Sequence, residues 1–104
     1  EQMVKLGLFS IEDMKAQDTE KPLYSKYFMH GTSHFLGLDV HDVGSKYDTF
    51  QPGMVLTCEP GLYIREEKIG LRIENDILIT SDGPVNLMED IPVEAEEIEE
   101  IMNG

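Results

Sequence analysis

Apolar and polar residues alternate along two stretches of the chain, and a period of two predicts strands. Met54 to Glu59 follows the turn signal Gln51-Pro52-Gly53 and sets Met54, Leu56 and Cys58 on one face against Val55, Thr57 and Glu59 on the other. Pro60-Gly61 stops this strand, and Leu62 to Ile64 can resume it. Leu71 to Thr80 reads as one longer strand, with Leu71, Ile73, Asn75, Ile77 and Ile79 opposite Arg72, Glu74, Asp76, Leu78 and Thr80, before Ser81-Asp82-Gly83-Pro84 turns the chain. Leu36 to Val40 is a third strand candidate. The roughly six residues between Ile64 and Leu71 cannot hold a crossover helix, so the sheet is expected to be antiparallel.

A period near 3.6 marks the helices. Ser10, with Asp13 three residues on, resembles a capping arrangement, and Ile11 and Met14 form a thin apolar stripe in a helix running to about Asp18. Gly7, between Leu6 and Leu8, is placed to end an earlier helix, as though the chain began inside an element. Lys21 to Met29 reads as a connection. Pro92 opens a terminal segment in which Ile98, Ile101 and Met102 recur at helical spacing, predicting an acidic amphipathic helix over 93–102.

Composition changes this picture in two respects. The 104 residues hold 8 Lys plus Arg against 21 Asp plus Glu, a formal charge of -13, which repels nucleic acid and anionic lipid and leaves basic partners or metal cations. Seven of the carboxylates, Glu89, Asp90, Glu94, Glu96, Glu97, Glu99 and Glu100, crowd into the end of the chain with no basic residue among them, where a solvated helix face is expected. No run of about 18 apolar residues and no signal-peptide pattern is present, which predicts a soluble, cytoplasmic protein. The 40% hydrophobic content, without Trp, predicts a mainly aliphatic core. The single cysteine, Cys58, cannot form an internal disulfide, fits a reducing compartment, and reads as a small buried hydrophobe.

The three histidines, His30, His34 and His41, fall within twelve residues, in the string HGTSHFLGLDVHDVG. Neutral imidazole is a common metal ligand and proton shuttle, and the competing reading is hydrogen bonding inside a core. The helical HExxH zinc signature is absent, and one Cys cannot build a cysteine site. Any metal would therefore be held by His and carboxylate from separate elements. Glu59 and Glu74 stand among aliphatic strand residues, where an unpaired charge is costly to bury. Glu74 reads either as a ligand or as an ion-pair partner on a strand face shared with Arg72 and Asp76, and Asp76 reads as a partner of Arg72. An oxygen-rich His/Glu set suits Mn²⁺ or Co²⁺, with Zn²⁺ as an alternative.

The segments MHGTSHFLGLDVHDVG, PGMVLTCEPGLYI and GLRIENDILIT, followed by VEAEEIEEIM, closely resemble in order and spacing the C-terminal part of the creatinase, aminopeptidase P and prolidase superfamily of pita-bread metallopeptidases, peptidase family M24. The likeness covers almost the whole chain and is closest to the Xaa-Pro aminopeptidase branch. It implies an α+β fold, with residues 1–104 forming the C-terminal half of the pita-bread catalytic domain, mainly antiparallel sheet packed with helices. It also implies a dinuclear site in which His34, Glu59 and Glu74 are metal ligands, Glu74 bridging both ions and Glu59 doubling as proton acceptor. His30 and His41 would line the substrate pocket, and Arg72 would steady the site. The implied reaction is attack of a metal-held water on the carbonyl before a proline at the second position of a peptide.

Two further aspartate ligands of that family come from an upstream hairpin, and Asp18, Asp39, Asp42 and Asp48 do not supply them. The resemblance therefore implies a fragment that is inactive alone, binds metal weakly if at all, and exposes sheet edges and a sheet face that favour homo-oligomers or a fragment dimer. The alternatives are prolidase, which takes only dipeptides, and a non-catalytic peptide-binding or protein-binding relative.

Overall fold

A computed structural model describes all residues, Glu1–Gly104. The chain divides into two compact units, one of Glu1–His30 with Gly61–Leu71 and one of Gly31–Pro60 with Arg72–Gly104.

The first unit holds two short helices, α1 (Gln2–Lys5) and α2 (Ile11–Ala16), a 3-10 turn at Leu23–Lys26, and the paired strands β2 (Gly61–Ile64) and β3 (Ile69–Arg72), the last reaching one residue past the unit. Gly7, at φ 73, follows the end of α1 in the left-handed conformation that a side chain would resist. Helix α2 starts at the predicted capping box: the Ser10 hydroxyl accepts from the Asp13 N–H at 3.0 Å, and the Asp13 carboxylate accepts from the Ser10 N–H at 2.9 Å. These bonds hold the Asp13 carboxyl below its ordinary range, the Ser10 backbone bond being the larger cause. Tyr27 is the buried apolar residue here. Phe9 packs on its ring at a centroid distance of 5.2 Å, and Tyr63 N–H donates to its carbonyl at 2.8 Å.

In the second unit, β1 (Val55–Cys58), β4 (Asn75–Thr80) and β5 (Gly83–Asn86) form an antiparallel sheet in the order β1-β4-β5. Gly53 N–H donates to the Ile79 carbonyl and Ile79 N–H to the Met54 carbonyl, both at 2.9 Å, so the β1–β4 ladder runs on to the predicted Gln51–Gly53 turn. The other edge of β1 is covered by residues 32–36. Leu36 N–H donates to Val55 O, Thr57 N–H to His34 O and Glu59 N–H to Thr32 O. The terminal helix α3 spans Ala95–Asn103, with Glu96 and Glu97 in its first turn and Ile98, Ile101 and Met102 exposed.

Four expectations need correction. Leu71 to Thr80 is two strands in different sheets, because the chain changes partner at Ile73–Glu74, a break that alternation cannot register. The extended segment near residue 36 lies before Leu36–Val40: Gly37 N–H donates to Asp39 O, and the Asp42 carboxylate takes the Asp39 and Val43 N–H groups, local bonds that compete with a strand. Cys58 faces away from Glu59 as expected but is exposed, since its face of β1 opens onto an apolar groove with Phe50, Leu56, Ile77 and Ile79. The aliphatic core is thin, with Leu56 the one buried aliphatic residue and Leu38, Val43 and many others exposed.

Candidate metal centre

Three neighbouring backbones deliver the candidate ligands to one end of the sheet in the second unit. Glu59 directly follows Cys58, the last residue of β1, just before the Pro60 break. Cys58 pairs with Asn75, and one further step in that register sets Glu74 across from Glu59. His34 lies on the covering segment, where its carbonyl accepts from Thr57 N–H at 2.9 Å. One ligand atom from each of His34, Glu59 and Glu74 lies within 4.8 Å of the other two. Glu59 is buried, His34 half-buried and Glu74 exposed, so the expectation of a buried Glu74 is corrected by its place in the gap between β3 and β4.

Hydrogen bonding fixes the direction of two of these groups. His34 Nδ1 lies 2.9 Å from the Phe35 carbonyl oxygen, which can only accept, so Nδ1 carries a hydrogen, and in the neutral ring Nε2 then presents a lone pair. That lone pair faces Glu59 Oε1 at 3.2 Å. A proton or a cation between them turns this repulsion into attraction, and the donor set of one imidazole nitrogen with two carboxylates fits a divalent metal. Thr57, 2% exposed, donates its hydroxyl to Glu59 Oε1 at 3.1 Å and accepts from the His34 N–H at 3.0 Å. Arg72 approaches Glu59 Oε2 and Glu74 Oε2, each at 3.6 Å. Its guanidinium therefore goes to these two carboxylates, and the expected pairing with Asp76 is replaced by a position of Asp76 opposite Thr57.

His41 is exposed, with its ring centroid 4.1 Å from that of His34. His30 belongs to the first unit, half-buried, with Nε2 2.9 Å from the Tyr63 hydroxyl and its ring against Phe28 at 5.1 Å. Sequence reasoning missed Thr57 and Tyr63. The signal for Thr57 was present, since alternation puts it on the same face as Glu59, two residues away.

A sequence model of metallopeptidase family M24 matches residues 5–81. The chain is 45% identical to the Xaa-Pro aminopeptidase of Escherichia coli strain K12, over 96% of the chain and 25% of that protein. It is 42% identical to human Xaa-Pro aminopeptidase 3, over 73% of the chain and 17% of that protein. Its fold superposes on zinc-substituted E. coli aminopeptidase P in complex with product with a TM-score of 0.80 and 43% identity, covering 97% of the chain and 25% of that structure. The chain thus spans at most about a quarter of the length of these relatives. With the α+β fold shared and the family pattern running through most of its length, the chain belongs to metallopeptidase family M24.

Proposed function

We propose that residues 1–104 form the C-terminal part of the catalytic domain of an Xaa-Pro aminopeptidase, which hydrolyses the bond between an N-terminal residue and a following proline. The observation that carries this reading is the convergence of His34, Glu59 and Glu74 within 4.8 Å. In this reading the three side chains hold divalent ions, together with two aspartates supplied by chain outside these residues. The oxygen-rich set favours Mn²⁺, with Co²⁺ and Zn²⁺ as alternatives. Bound ions would supply an acidified water nucleophile and a positive field for the developing oxyanion.

The chain's own residues have separable tasks. His34 offers Nε2 because the Phe35 carbonyl holds its Nδ1–H. Thr57 keeps Oε1 of Glu59 turned toward His34, and Arg72 keeps Oε2 of Glu59 and of Glu74 from swinging into solvent. Glu59, buried and at the end of a paired strand, is the proton acceptor. His41, exposed beside His34, is available to hydrogen-bond a peptide backbone. His30, set between Phe28 and Tyr63, offers an apolar ring surface with one polar edge, which suits the proline side of a substrate. The many exposed apolar side chains support an oligomeric enzyme acting on peptides, and the single cysteine supports a reducing, cytoplasmic setting.

Two measurements test the proposal. Calorimetric titration of the chain with Mn²⁺ should give weak, saturable heat near millimolar metal that Glu59→Gln abolishes, and its absence in the unaltered chain would count against a retained site. The longer protein containing this chain, supplied with Mn²⁺, should release Arg from Arg-Pro-Pro. Cleavage of Gly-Pro with Arg-Pro-Pro left intact would make it a prolidase, and failure on both would favour a binding relative.

A further inference from the structure

The Phe35 carbonyl oxygen receives two hydrogen bonds, one from His34 Nδ1–H at 2.9 Å and one from the Asp42 N–H at 3.0 Å. Residues 34–36 are tied to β1, by Thr57 N–H to His34 O, Leu36 N–H to Val55 O and the Phe35–Leu56 bridge. The chain then leaves as a loop and returns at Asp42. Where it returns, Gly44 lies flat against the Phe35 ring, so that a Cβ on residue 44 would overlap the ring at Cδ2, Cε2 and Cγ. The backbone of Gly44 is outside the left-handed region, so glycine is needed there for space alone. The overlapping atoms include the root of the ring, which cannot swing aside as a flexible tip would.

We propose that Phe35 and Gly44 are positioning residues of the metal centre: their contact clasps loop 37–44, brings the Asp42 N–H onto the Phe35 carbonyl, and so holds that carbonyl where it fixes His34 as the Nδ1–H tautomer with Nε2 toward Glu59. The same clasp keeps His41 against His34, at 4.1 Å between ring centroids. Outer groups that orient a metal-binding imidazole commonly alter affinity about 10-fold to 100-fold when lost. This inference rests on the metal-site reading, yet its first readout needs no metal.

The test is the ¹⁵N spectrum of the His34 ring in the metal-free chain, recorded in alkaline buffer so that the ring is neutral. The unaltered chain should show the Nδ1–H tautomer. Gly44→Ala should give a mixture of tautomers and about tenfold or more weaker Mn²⁺ binding. Phe35→Ala combined with Gly44→Ala should return both readouts to those of Phe35→Ala alone, because the overlap is gone. Unchanged β1–β4 amide signals check that the sheet persists. If Gly44→Ala disturbs them, Phe35→Leu reads the same contact from the other side and should likewise mix the tautomers. A tautomer indifferent to Gly44→Ala and Phe35→Leu overturns the clasp, even where Mn²⁺ binds. Gly44-dependent tautomers in a chain that binds no Mn²⁺ keep the clasp and remove the metal reading.

Discussion

Replacing Thr57 by valine removes one hydroxyl while keeping the β-branched shape. That hydroxyl accepts from the His34 N–H at 3.0 Å and donates to Glu59 Oε1 at 3.1 Å. Thr57 is 2% exposed, and the second valine methyl occupies the place of the hydroxyl without offering a hydrogen bond. Leaving a buried N–H unpaired costs about 1–3 kcal/mol, and a hydrogen bond to a charged group contributes about 1.5–3 kcal/mol. Arg72 remains near Glu59, so part of the second loss is recovered, and the expected total is about 2–4 kcal/mol. The assay is urea unfolding of the metal-free chain, paired with hydrogen exchange of the His34 amide, which should speed up in Thr57→Val. Thr57→Ser keeps the hydroxyl and loses one methyl, so it should cost only about 1 kcal/mol. A Thr57→Val chain within about 0.5 kcal/mol of the unaltered one, with His34 exchange unchanged, would refute the reasoning, since surface changes alone fall in that range.

Acid should open the cap of α2. The Asp13 carboxyl is held below its ordinary value of 3.8, so the cap is complete above that pH and is lost as pH falls through the lower folded value. The Ser10 and Asp13 amide shifts should follow this titration in NMR, and Asp13→Asn should abolish it. Lys26 Nζ meets Glu66 Oε1 at 2.7 Å, a hydrogen-bonded pair that raises the lysine pKa and lowers the glutamate's. Lys26→Gln should therefore move the Glu66 carboxyl titration to higher pH, and an unmoved midpoint would show the pair absent in solution. Exposed Leu38, Val43, Tyr47 and Leu71 should make the chain self-associate, and light scattering that shows a clean monomer at high concentration would contradict that.

Local chemistry was legible in the sequence where a rule acts within a few residues. The Ser10–Asp13 cap, the stop at Gly7, the Gln51–Gly53 turn and the Pro60 break all fall where their side chains demand. His34, Glu59 and Glu74 were legible as candidate ligands through the family motifs that carry them, beside the clustering of three histidines within twelve residues. Alternation could not show where Leu71–Thr80 changes sheets, since both halves remain extended, nor that Asp42 would draw residues 37–43 into a loop. Burial was least legible: Cys58 and Glu74 read as interior from their neighbours, yet each lies where nothing in the chain covers it.

The strand order β1-β4-β5 leaves β5 as the free margin of its sheet, since residues 32–36 already occupy the far side of β1. One of the four residues on that margin is Pro84, which has no N–H to lend to an incoming strand. A second chain cannot extend the sheet there with an unbroken ladder. Strand addition at this margin of the three-stranded sheet is thereby disfavoured, and with it the repeating strand pairing from which fibrils grow.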